Sequence, residues 1–114
     1  MVELTQFVVI NKSLGMQCGK IAAQCAHASV SVLDKVDDRT VKEWKNSGMK
    51  KVVLKVSTTE ELLELFEKAK RELPCALITD AGKTQIASGS KTAFACGPCS
   101  EEKAQKYFKD LKLL

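Results

Sequence analysis

Short apolar runs alternate with stretches of helical period along this chain. That alternation restricts it to an α/β architecture, because strands and helices that follow one another in this way pack as layers. The strand-type runs are residues 5–10, 51–56, 75–79 and 92–96, rich in β-branched and other apolar side chains. Between the first two, Ile21, Cys25, Ala28 and Val32 recur at four, three and four, which predicts a helix from Gly19 to about Asp34. A second helix is predicted over 36–47, with Val41 and Trp44 on one side and Gly48 as its stop. Thr58 with Glu61 three residues on forms a capping box. It opens a third helix whose apolar stripe is Leu62, Phe66, Ala69 and Leu73, and Pro74 ends it. A last helix is predicted over 100–111. The run 75–79 is apolar throughout and reads as a central strand. The 114 residues fit one domain, taken here as 1–114.

Composition excludes several classes. Hydrophobic residues make up 45% and charged residues 28%, which is ordinary globular usage and not that of a disordered chain. The longest apolar runs are four residues, far short of the roughly 20 needed to span a membrane. Glu3 interrupts the N-terminus, where a secretory signal would need an apolar core, so a cytoplasmic location is expected. The five cysteines are odd in number, which argues against a disulfide framework. The net charge of +4 permits an anionic partner without requiring one. The basic residues are sixteen Lys and only Arg39 and Arg71. Such a set suits contact with phosphates better than reading of base edges.

Three constellations could carry chemistry. Lys20, Gln24, His27 and Ser31 share one face of the first helix, either as a solvated edge or as the wall of a site. The polar stretch 80–92 follows the most apolar strand, where ligands gather in open α/β sheets. It offers Asp80, Thr84, Ser88, Ser90 and Thr92, flanked by Lys83 and Lys91. It is long for an α/β connection, and long connections are often functional, although Asp and Gly after a strand are also ordinary turn chemistry. Gly82-Lys83-Thr84 is not the end of a nucleotide P-loop, since Leu77 stands where the first glycine would be needed. Cys96-Gly97-Pro98-Cys99 matches the redox motif of thioredoxin-like proteins and is expected at a strand-to-helix junction. Only fifteen residues follow Cys99, too few to complete that fold, and Ala95 stands where the usual Trp would be. No second paired spacing of Cys or His suggests a metal site.

The segments GKIAAQCAHASV, KKVVLKV and ALITDAGKTQIASGSKT occur in that order, followed by a strand and Gly-Pro. Together they closely resemble the type 2 peptidyl-tRNA hydrolase family of archaea and eukaryotes. The resemblance covers about residues 6 to 98, with a further match in the closing LKLL. It implies a four-stranded mixed sheet flanked by helices, in an α/β domain. It also implies a cofactor-independent esterase that cleaves the bond between a peptide's C-terminus and the terminal ribose of tRNA. Peptidyl-tRNA is then the partner, and because members often dimerise a homodimer is expected. The family's functional residues fall on Lys20, Asp80 and Thr84 as catalytic groups, with Gln24, His27, Gln85 and Thr92 nearby. Lys20, Lys83 and Lys91 are the expected phosphate contacts. Ester hydrolysis needs an oriented water and stabilisation of an oxyanion, and these groups can supply both.

Four positions depart from the family's pattern. Asn11 and Ser13 stand where Arg and Asp are usual, Ser88 replaces a common proline, and Cys99 a small or acidic residue. The first two motivate an alternative, a family member that binds tRNA or a protein without turning over. CGPC alone motivates another, a dithiol oxidoreductase using Cys96 and Cys99.

Overall fold

The computed structural model describes residues 2–81, 87 and 89–114. Five strands form one mixed sheet: β1 (Leu4–Asn11), β2 (Lys51–Val56), β3 (Cys75–Thr79), β4 (Lys91–Ser100) and β5 (Lys112–Leu113), in the order β3-β4-β1-β2-β5. The strands β1 and β2 run parallel, whereas β4 is antiparallel to both β1 and β3. The helices are α1 (Cys18–Ser31), α2 (Asp38–Asn46), α3 (Thr59–Ala69) and α4 (Glu101–Phe108). A parallel pair needs a crossover between its strands, and α1 and α2 supply it between β1 and β2.

The side-chain alternation of the strands divides the core in two. One face carries Val8, Ile10, Ala76, Ile78, Ala93 and Ala95, and packs against Ile21, Cys25 and Ala28 of α1 and against Val32. The other carries Phe7, Val9, Cys75, Phe94 and Cys96, and packs against Leu62 and Ala69 of α3 and Ala104 and Phe108 of α4. On that side Phe7 and Phe108 stack with ring centroids 4.7 Å apart. The start of α3 follows its sequence signal, and α2 is capped in a similar way. Thr58 Oγ1 accepts from the Glu61 N–H at 3.0 Å, and the Asp37 carboxylate accepts from the Thr40 N–H at 2.9 Å.

Three expectations are corrected. The sheet has five strands and not four, because Lys112–Leu113 adds to β2 through Leu54 and Lys55. A strand of two residues is too short to leave a periodicity. The apolar strand β3 lies at the sheet's edge and not at its centre. Its apolar character reflects cover on both faces, with Cys75 and Leu77 towards the α3–α4 core and Ala76 and Ile78 towards α1. Finally, Cys96-Gly97-Pro98-Cys99 is not at a strand-to-helix junction. The strand β4 runs on through Gly-Pro to Ser100, which caps α4.

Two irregularities in the ladder shape the molecule. Where Thr5 pairs with Cys99 and Phe7 with Cys96, Gly97 and Pro98 are looped out of register. Where Ile78 pairs with Ala93 and Thr79 with Lys91, Thr92 is the extra residue. Gly97 has φ 97°, and a Cβ there would lie 2.6 Å from the Thr5 carbonyl oxygen and 2.9 Å from the Cys99 nitrogen. Both crowding and φ therefore demand glycine. Gly97→Ala is expected to cost at least about 2 kcal/mol in a urea titration. Gly15→Ala is the control, since Gly15 has φ 63° but nothing within 4 Å of an added Cβ. Equal costs for the two would show that crowding at Gly97 contributes nothing.

Candidate active site

The site forms where β3 ends against α1. Along β3, Ala76 and Ile78 face α1, and continuing the alternation brings the Asp80 side chain to the same side. There its Oδ1 accepts from Lys20 Nζ, two turns before the buried Ala28 on α1. The pair is nearly dry, with the Lys20 side chain 9% exposed and that of Asp80 4%. A charge left alone in so little water would be strongly disfavoured, and the two groups face each other instead. Backbone bonds fix the carboxylate's base: the Asp80 N–H donates to the Ser90 carbonyl at 2.8 Å, and the Gly89 N–H to the Asp80 carbonyl at 2.9 Å. The connection is thus tied shut at its foot.

Gln24 and Thr92 form the second tie. Both are buried, and the Thr92 hydroxyl donates to Gln24 Oε1 at 2.6 Å. Simple alternation would turn Thr92 away from α1, because its neighbour Ala93 already faces it. The bulge at Thr92 re-aims the hydroxyl onto α1. His27 is exposed and stands one helical turn beyond Gln24. Lys20, Ala23, Gln24, His27, Thr79, Asp80 and Ala81 line a hollow of about 290 Å³. Lys91 Nζ donates to Thr79 Oγ1 at 2.9 Å and is not among the residues lining the hollow. Of the residues singled out in the sequence, the structure thus brings together Lys20, Asp80, Gln24 and His27 at the hollow, with Thr92 bonded to Gln24. Lys83, Thr84 and Gln85 lie outside the described residues, as does Ser88.

Sequence reasoning missed Thr79 and the tethering role of Asn11. The Asn11 side chain is fully buried, so it presents nothing to a nucleic acid. Its amide donates to Thr59 Oγ1 at 2.8 Å and to the Lys91 carbonyl at 2.9 Å, while its Oδ1 accepts from Ser13. It ties the start of α3 to the start of β4 beneath the site. No local pattern signals this, because its partners lie 48 and 80 residues away. Among the described residues, no group of three His, Cys, Asp or Glu side chains converges to hold a metal, and no helix is long and apolar enough to cross a membrane.

The arrangement can orient a water or acyl group beside the paired carboxylate and ammonium, on a rigid frame. The Gln24–Thr92 tie contributes that rigidity. Thr92→Val keeps the shape and removes the donor, leaving a buried carbonyl oxygen unpaired. It is expected to cost about 1–3 kcal/mol on urea unfolding. Thr92→Ser should recover most of this, and a Thr92→Val protein as stable as the wild type would refute the role of the tie.

Comparison with known proteins fits this geometry. The family model described as "Peptidyl-tRNA hydrolase PTH2" matches residues 4–114. A curated peptidyl-tRNA hydrolase of Methanococcus maripaludis (strain C7) is 50% identical over 113 residues, covering 96% of this chain and 97% of its own length. That of Methanocaldococcus jannaschii is 47% identical, covering 94% and 96%, and that of Halobacterium salinarum 44%, covering 96% and 99%. The match takes in α1, β3 and β4, the elements that build the hollow, and the chain belongs to the peptidyl-tRNA hydrolase PTH2 family.

Proposed function

We propose that this chain hydrolyses the ester between peptide and tRNA in peptidyl-tRNA, and that Asp80, Lys20 and Thr84 carry the reaction. The dry Lys20–Asp80 pair beside an open hollow is the observation that carries this reading. Family membership supplies the substrate.

In this reading Asp80 accepts a hydrogen bond from the attacking water and holds it in line with the ester carbonyl. Carboxylates near their ordinary pKa are weak bases, so positioning supplies much of the effect. Lys20 holds that carboxylate in place through its ammonium. Its ammonium has three N–H donors, so the same group can also face the oxygen that gains charge in the tetrahedral intermediate. Thr84 offers a hydroxyl to the water or to the leaving ribose oxygen, which must take up a proton as the ester breaks. His27 on the rim, with Lys83, Gln85 and Lys91 of the adjoining segment, is suited to the acceptor end of tRNA. Reaction takes place in the cytoplasm, with translation, and the family's habit supports a homodimer.

A role in binding alone is not favoured. Its motive was the replacement of the usual Arg and Asp by Asn11 and Ser13, and Asn11 is a buried tether. Two experiments test the proposal. The purified protein should release tRNA from N-blocked aminoacyl-tRNA and spare unblocked aminoacyl-tRNA, and Asp80→Asn should lower turnover by roughly 10²-fold or more. Near-normal turnover in folded Asp80→Asn protein would remove Asp80 from the mechanism. Because the basic residues are nearly all Lys, tRNA should be held through phosphates. Affinity should therefore fall steeply between about 50 and 200 mM salt, and equal binding at both would contradict the phosphate contacts.

A further inference from the structure

The hydrolytic reading leaves three sulfurs unused on the opposite face of the sheet. Cys75 of β3 and Cys96 of β4 are register partners, both buried in the α3–α4 core. The neighbouring Gly97 N–H donates to the Pro74 carbonyl at 2.9 Å, which makes Cys75–Cys96 a non-hydrogen-bonded pair, the kind with the closer side chains. Cys99 packs against the same core, because the irregularity at Gly97-Pro98 sets it on the face of Cys96. Its sulfur lies only 3.2 Å from where a Gly97 Cβ would stand, so the chain folds back and the absent side chain leaves room for it. The Cys96 thiol therefore has those of Cys75 and Cys99 as neighbours. Unlike the other two, Cys99 reaches the surface, in an open groove beside Pro74, Pro98 and Ser100.

We propose that Cys99 and Cys96 are a redox-active dithiol, in which Cys99 reacts with hydroperoxides and Cys96 closes the disulfide. The Cys99 thiolate attacks one peroxide oxygen. The O–O bond breaks, alkoxide leaves and takes up a proton as alcohol or water, and Cys99 becomes a sulfenic acid. The Cys96 sulfur then attacks that of Cys99. An S–S bond forms, the S–O bond breaks, and hydroxide leaves with the Cys96 proton as water. The two thiols lose two electrons and the hydroperoxide gains them.

The environments suit these roles. The Cys96 thiol beside Cys99 lowers it from the ordinary thiol range, against the opposing effect of burial, while the Cys99 Sγ itself lies 3.9 Å from the Thr5 carbonyl oxygen. Hydrogen bonding to Cys75 and Cys99, and then burial, push Cys96 far above that range. Cys25 is raised by burial and Cys18 is exposed, and both lie on α1, away from this core. The dithiol and the Lys20–Asp80 pair occupy opposite faces of the sheet, so oxidation should leave hydrolysis within about twofold, a shift below ~0.5 kcal/mol in the barrier.

The test treats reduced, folded protein with one equivalent of hydrogen peroxide, alkylates the remaining thiols and maps the peptides by mass spectrometry. A Cys96–Cys99 disulfide should form ahead of any oxidation at Cys18 and disappear with dithiothreitol. Cys96→Ser should accumulate a dimedone-reactive sulfenic acid at Cys99, and Cys99→Ser should lose peroxide-driven disulfide formation. The partly exposed Cys99→Ser keeps the test valid should Cys96→Ser not fold. Oxidation mainly at Cys18, or a Cys75–Cys96 disulfide forming in Cys99→Ser as fast as the wild-type disulfide, would overturn the proposal. Loss of hydrolysis on oxidation would overturn the independence of the two sites while leaving the hydrolase reading intact.

Discussion

The ion pair between Lys20 and Asp80 is the contact on which the site depends. It joins the first turn of α1 to the residue just past an edge strand. Two charges so far removed from water gain only when they face each other, and breaking such a pair costs about 3–5 kcal/mol. A pair of this kind is weak evidence for stability, since an apolar pair of the same shape would serve the fold as well. It is better understood as a device that aims a carboxylate, itself held largely away from water, at the hollow. There its effect on developing charge is greater than it would be in water.

Holding that geometry falls to backbone irregularities and buried polar ties. The bulge in β4 turns the Thr92 hydroxyl onto α1 and fastens Gln24. The Asp80 backbone grips Ser90 and Gly89, and Asn11 holds the Lys91 carbonyl from beneath. The other irregularity, at Gly97-Pro98, does the opposite work on the far face, where it brings Cys99 beside Cys96. One strand thereby serves two chemically distinct sites through two departures from regular pairing.

What could be foreseen from sequence follows the range over which each signal acts. Residues such as Leu62, Phe66, Ala69 and Leu73 announce α3 because helical periodicity is local, and Thr58 announces its start. The Lys20, Gln24, His27 stripe and the placement of Asp80 after a buried strand were legible for the same reason. Edge position was not, since Ala76 and Ile78 look alike in a central strand and in an edge strand covered on both faces. The two-residue β5 is below any periodic signal. Bulges were invisible too, because which residue is extra depends on the partner strand, and so the true role of Asn11 and the turn of Thr92 onto α1 emerge only from the pairing.

The central claim is that Lys20 and Asp80 act as one unit. A double-mutant cycle with Lys20→Met and Asp80→Asn, read as kcat on N-blocked aminoacyl-tRNA in proteins verified as folded, tests it most directly. The account predicts that each single change lowers kcat by roughly 10²-fold or more and that the double change is little worse than either. Losses that multiply would show two groups acting independently and would contradict the account.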